Sequence, residues 1–265
     1  MALLSISKAW EETADFARRE ARLLFPVAFL LMSLPGSILQ AMAPVTTPGK
    51  APEAGLWLLF VPVAVVSSLI GGLAISYLAL RPGASVGEAL QIGLRRVLVL
   101  LGAALLVGIA AAVLMIPLIL IIALLAAPGV VPPALAVIPI LLMIPVLLLF
   151  WVRLILITPA AAAESIGPVA LIRRSWQLTR GHYWRLLGFL LLVILVSLVV
   201  LMAVGAIGGI LVYLVAGQPQ PGSIAMFLVL LISALVQAVV SGLFTACIAR
   251  IYAQLAGTGD QDVFA

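Results

Sequence analysis

Six uninterrupted apolar runs constrain this chain more than any other feature of its sequence. They lie at approximately 24–43, 56–80, 97–126, 134–157, 186–216 and 224–249. A helix needs about 20 apolar residues to cross the hydrocarbon of a bilayer. Inside that medium no water satisfies the backbone, so a spanning segment must bond internally, as a helix does. Composition agrees: 65% of the residues are apolar and 9% charged, against about 45–50% and about 25% in a soluble domain. The sequence therefore predicts an all-α integral membrane protein of six transmembrane helices. Its breaks are Pro/Gly-rich: "APVTTPGKAPEAG", "RPGAS", "APGVVPP" and "AGQPQPG". The third and fifth runs are about 30 residues long, which predicts tilt or a bend, with Pro117 the expected kink of the third.

The basic residues fall almost entirely on one side of these runs. Lys8, Arg18, Arg19, Arg22, Arg81, Arg95, Arg96, Arg153, Arg173, Arg174, Arg180, Arg185 and Arg250 flank the ends on the terminal side, and Lys50 alone lies opposite. Thirteen against one is the bias that keeps loops in the cytoplasm. Both termini are expected there. This placement also explains the net charge of +5 by membrane insertion and anionic lipid, with no role for nucleic acid. Glu11, Glu12 and Asp15 precede the first apolar run, unlike a cleaved secretory signal, so the first helix is expected to persist. One cysteine, Cys247, forms no intrachain disulfide and reads as an apolar helix filler.

Charge also concentrates within the stretch "RRSWQLTRGHYWRLLG", residues 173–188. Offsets of 86 and 166 residues bring 87–102 and 7–22 into line with it, each segment running into an odd-numbered span. The pattern predicts three hairpins, each preceded by an amphipathic interfacial segment, in one membrane domain over 1–256. The repeat-like units are about 1–81, 82–158 and 159–256, with a polar tail at 257–265. In the third segment Val169, Ile172, Trp176 and Tyr183 share one side, opposite Arg173, Arg174, Gln177 and Arg180. A Trp-bearing apolar stripe beside a basic face describes a helix in the headgroup layer. Gly181 is expected to end it, and Trp184 and Arg185 to open the fifth span.

Residues 152–192, "VRLILITPAAAAESIGPVALIRRSWQLTRGHYWRLLGFLLL", resemble the glycerophosphoryl diester phosphodiesterase membrane-domain family and related bacterial proteins. The match runs through Arg153, Leu154, Pro159, Ala160, Glu164, Gly167 and Pro168. It continues with Ser175, Trp176, Leu178, Thr179, Gly181, Trp184 and Arg185. The resemblance implies a bacterial inner-membrane protein, multi-pass, with the membrane part alone and no catalytic barrel. It does not imply hydrolysis by this chain.

The residues themselves offer little for catalysis. No H-E-x-x-H, C-x-x-C, G-x-S-x-G or Walker loop occurs, and His182 is the single histidine. Neither a catalytic residue, a metal site nor a cofactor is expected, and the chain is read as not an enzyme. Arg153, Arg173, Arg174, Arg180, Arg185, Trp176 and Trp184 are the candidate headgroup-binding residues. Arg153, near the end of the fourth span, either snorkels to the headgroups or forms a structural ion pair with Glu164. Ser233, Gln237, Ser241 and Thr245 recur every fourth residue along the sixth span. Such a stripe lines a polar path or bonds neighbouring helices. Gly205 and Gly209 form a G-x-x-x-G for packing within the chain or in a homo-oligomer. Two functions follow. One is a non-catalytic membrane protein whose basic cytoplasmic collar binds anionic lipid or docks a partner protein. The alternative is a transporter or flippase for a lipid-like or amphipathic substrate.

Overall fold

The computed structural model describes residues 6–43, 55–125, 133–220 and 222–257, and among them every regular element is helical. In chain order these are α1 (Ile6–Val27), a π-helical segment (Ala28–Ser33), α2 (Leu34–Met42), α3 (Trp57–Leu80) and α4 (Val86–Leu125). There follow α5 (Pro133–Leu154), α6 (Ile157–Ala163), α7 (Pro168–Thr179), α8 (Tyr183–Ala216) and α9 (Ile224–Ala256). Six helical stretches are long and apolar enough to cross a membrane: Ser7–Met42, Trp57–Leu80, Val86–Ile122, Met143–Ala163, Tyr183–Ala216 and Ile224–Ala256. Lys50 and the tail from 258 onward, assigned to an outer loop and a polar end by sequence, lie outside the described residues.

Two of the six spans are interrupted, and proline accounts for the position of each break. An α-helix needs the N–H of residue i to reach the carbonyl of residue i−4. Pro35 has no N–H to return to the Leu31 carbonyl. The turn before it widens into the π segment, and Ser67 Oγ of α3 donates to the Leu31 carbonyl at 3.0 Å instead. The second break separates α5 from α6. Pro159 cannot serve the Ile155 carbonyl, and Leu156 leaves helical geometry at φ −88°, ψ 3°. Here Ser175 Oγ of α7 donates to the Arg153 carbonyl at 2.7 Å. Each interruption is thus closed by a serine from a neighbouring helix. Pro117, the expected kink, lies within the continuous helix α4.

Close packing surrounds the π segment. A Cβ at Gly71 of α3 would lie 2.7 Å from Met32 Cγ and 3.0 Å from Leu31 Cβ. One at Gly242 of α9 would lie 3.2 Å from Ala28 Cβ and 3.0 Å from Leu24 Cδ2. Both helices press on the widened turn as only glycine permits. By contrast, a Cβ at Gly205 or Gly209 would meet nothing within 4 Å, so the G-x-x-x-G of α8 makes no close helix contact inside the chain.

The three segments expected at the interface differ in structure. The first is continuous with its span inside α1, bent where Glu20 departs from helical geometry at φ −110°, ψ 17°. The second merges with the third span as the first turns of the 40-residue α4. The third is a separate helix, α7, ended at Thr179 and followed by Gly181 at φ +90°. That left-handed backbone favours glycine, as the sequence predicts. The buried face of α7, however, is Leu171, Ser175 and Thr179, whereas Val169 and Trp176 are exposed. The other two residues of the stripe, Ile172 and Tyr183, are half-buried and pack against the core. Serine and threonine win the interior because each has a backbone carbonyl to bond there.

Candidate functional site

One group of polar and charged side chains gathers around α7. Arg153, on the last turn of α5, is half-buried against that helix. Its guanidinium lies 5.2 Å from the Trp176 ring centroid and 5.7 Å from that of Tyr183, and Nη1 donates to Thr179 Oγ1 at 3.5 Å. Aromatic faces attract a cation through their quadrupole, and the planar guanidinium stacks well there. Thr179 Oγ1 in turn donates to the Ser175 carbonyl at 3.0 Å.

Glu164 has different partners from the one the sequence proposed. Its Oε1 accepts Arg174 Nε at 2.8 Å and the Tyr252 hydroxyl of α9. Of the two readings of Arg153, the ion pair with Glu164 is not formed. Residues 168–179 are one helix, so Arg174 projects toward the carboxylate that ends α6, while Arg153 turns to the aromatic rings. The carboxylate's hydrogen bond raises the pKa of the Arg174 guanidinium above its ordinary value, more than partial burial lowers it. Three elements, α6, α7 and α9, meet at this one oxygen.

The remaining collar residues are at the surface. Arg173, Arg180 and Arg185 are exposed, as is Trp176, and Trp184 is 79% exposed. Of the seven candidates, Arg153, Arg174 and the Trp176 ring fasten α7 to the bundle, while Arg173, Arg180, Arg185 and Trp184 face outward on or beside it.

The serine–glutamine stripe of α9 does not converge on one cavity. Ser233 and Gln237 are exposed, and Ser241 Oγ donates to the Ala238 carbonyl at 3.4 Å. Thr245 alone of the four lines a cavity of about 180 Å³ together with Ser68, Ser76, Thr158 and Met32. A drift of 40° over every four residues turns the stripe away along the helix. This cavity lies between the two interruptions, touching the π segment at Met32 and the α5–α6 break at Ile155. Ser76 Oγ is fully buried beside it without a hydrogen-bond partner. Spacing every fourth residue gave no warning of this arrangement, because its hydroxyls come from three separate helices.

Two further cavities complete the site region. An apolar groove of about 510 Å³ runs along α8 and α9, with Trp10 and Ser7 of α1 at one end and Cys247 in its wall. A smaller cavity of about 190 Å³ opens between α1, the end of α3 and the end of α9, lined by Arg19, Glu20, Arg81 and Arg250. Among the described residues, no three His, Cys, Asp or Glu side chains lie close enough to hold a metal ion.

Residues 4–255 match the family model described as a domain of unknown function, DUF7847. The match covers nearly the whole chain, and the chain belongs to that family. No curated protein and no solved structure matches it.

Proposed function

We propose that this family member is a non-catalytic protein of a bacterial inner membrane, whose basic end faces the cytoplasm and binds anionic lipid. One observation carries the reading: Arg173, Arg180 and Arg185 stand exposed beside Trp176 and Trp184 on and just after a short helix that is itself fastened down. Arg153 on its aromatic faces and Arg174 on Glu164 hold that helix against the bundle. Each arginine near an anionic surface contributes about 1 kcal/mol, less at high salt. The apolar groove along α8 and α9 offers room for an acyl chain on the flank of the same end. The resemblance of 152–192 to the glycerophosphoryl diester phosphodiesterase membrane domain belongs to the same proposal, as a membrane part without hydrolysis. The positive-inside bias supports the orientation.

The test is binding of purified protein to nanodiscs with and without phosphatidylglycerol, read by native mass spectrometry. Replacing Arg173, Arg180 and Arg185 together by Gln is expected to lower retention of the anionic lipid at least about tenfold at low salt. Equal retention by the variant and the parent would defeat the reading.

A second reading, a transporter or flippase, is favoured by one arrangement. A hydroxyl-lined cavity bounded by two interrupted spans is where membrane carriers place their binding sites. On that reading Ser76→Ala and Thr245→Val abolish flux of substrate across proteoliposomes while the protein stays folded. Gln237→Leu, on the exposed surface, leaves flux intact.

A further inference from the structure

The cavity between α1, α3 and α9 differs from the collar, since none of its arginines lies on or near α7. Arg19 comes from the bend of α1, Arg81 from the C-cap of α3 and Arg250 from the last turns of α9. Three guanidiniums from three helices thus border about 190 Å³, with Glu20 the one carboxylate among the lining residues. Arginine is always charged, so this lining carries a formal net charge of +2 (three less one). A wall of this sign favours an anionic ligand over a neutral or cationic one.

The side chains are held in a way that suits an oxyanion. The Arg81 guanidinium lies 5.2 Å from the Tyr77 ring centroid, and its Nη1 donates to the Tyr77 hydroxyl at 3.3 Å. Arg250 lies 5.7 Å from the Phe16 ring centroid. Arg19 Nε donates to the Asp15 carbonyl at 3.3 Å. Stacking on a ring fixes a guanidinium plane while leaving its edge donors in that plane. A guanidinium edge matches two oxygens of a phosphate by paired hydrogen bonds. Glu20 sits where α1 leaves helical geometry, so the bend itself forms part of the cavity wall.

We propose that this cavity binds a phosphate group, presented by a phospholipid headgroup or by a soluble phosphate compound. The proposal goes beyond the lipid-binding collar and stands without it. It predicts that Arg19 and Arg81 act as direct ligands. Glu20 repels the ligand and sets its affinity below what three arginines alone would give.

The experiment uses the full chain in phosphatidylcholine nanodiscs and two probes. Inorganic phosphate, measured by calorimetry, represents the soluble source. Phosphatidic acid doped into the discs, measured by native mass spectrometry, represents the headgroup. Arg81→Gln and Arg19→Gln are each expected to weaken binding of at least one probe about tenfold. Binding of inorganic phosphate assigns the soluble source, and binding of phosphatidic acid alone assigns the lipid. Glu20→Gln is expected to tighten binding of the same probe several-fold, a gain that a misfolded variant does not produce. Arg95→Gln, on α4 and outside the cavity, leaves binding unchanged. If neither probe binds in an Arg81-dependent manner, or if Glu20→Gln fails to tighten binding, the proposal is overturned.

Discussion

Glu164 joins three elements through one oxygen, and removing it gives a quantitative test of how the basic end is held together. Tyr252 is 1% exposed, and its hydroxyl donates to the carboxylate. A hydrogen bond to a charged acceptor contributes about 1.5–3 kcal/mol. The ion pair with Arg174 has side chains 36% and 28% exposed, so solvent screens it to about 0.5–1 kcal/mol. Glu164→Ala loses both and leaves a buried hydroxyl unpaired, for a total of about 2–4 kcal/mol. Tyr252→Phe costs less, about 1.5–2 kcal/mol, because the carboxylate retains Arg174 and the phenyl ring fills the same space. The double variant should then be more stable than the sum of the two by about 1.5 kcal/mol, since the second substitution removes a partner already lost. Reversible unfolding in mixed micelles, followed by tryptophan fluorescence, measures each corner of the cycle. The pair Glu164→Ala with Arg153→Met should couple by less than about 0.5 kcal/mol, as those residues share no bond. A Glu164–Tyr252 coupling below about 0.5 kcal/mol, or a larger one for Arg153, would refute this account of the clamp.

Three further outcomes follow from the packing and the charge pattern. Gly242→Val places branched carbon against Ala28 Cβ, which has no rotamer to yield, and is expected to cost about 1–3 kcal/mol in the same unfolding assay. Ser67→Ala frees the Leu31 carbonyl beside the π segment and is expected to cost about 0.6 kcal/mol, with loss of amide protection confined to the π segment and α2. Alkaline phosphatase fused after Ala265 is expected to stay inactive in cells under the proposed orientation, with that end in the cytoplasm; strong activity there would reverse the orientation.

The spans were legible because hydrocarbon imposes length and polarity on every segment that crosses it. Helix α7 was legible too, from Pro168 at its start and Gly181 beyond its end. Its docking face was not. A headgroup-layer stripe is read from Trp and Val, yet Ser175 turns inward to the Arg153 carbonyl, left open by the α5–α6 break, and Thr179 to the Ser175 carbonyl of its own helix. The Arg153–Glu164 pairing failed for a related reason. Sequence spacing puts both arginines within reach of Glu164, and choosing between them requires knowing that Trp176 and Tyr183 offer Arg153 a surface. Tyr252, 88 residues from Glu164, carried no local signal at all. The same holds for Arg19, Arg81 and Arg250, each of which reads singly as a span-end charge and acquires meaning when the ends of three helices meet.

Where the chain packs follows from what the bilayer does not provide. Lipid tails are as apolar as leucine, so burying leucine against leucine gains little, and helices associate where backbones approach closely or hydrogen bonds form. Along α4 the side chains of Leu105, Ile109, Val113, Ile116 and Leu120 are exposed, and along α8 those of Leu191, Leu195, Leu198, Met202 and Leu214. In water such surfaces would aggregate; in hydrocarbon they are solvated. The packed interior takes small and large residues together: Ala9, Ala28, Ala79, Ala89, Ala160, Ala246 and Ala249 are inaccessible, as are Leu73, Ile75, Leu156 and Leu171. The two serine bonds that close the interruptions join packed helices as well. Directional contacts need a wall that holds its shape, and close packing supplies one. The clamp on Glu164, the cavity at Ser76 and the three arginines around Glu20 therefore share one scaffold. A substitution that loosens the alanine contacts should weaken all three together, whereas leucine-to-valine changes on the exposed half of α4 or α8 should leave each intact.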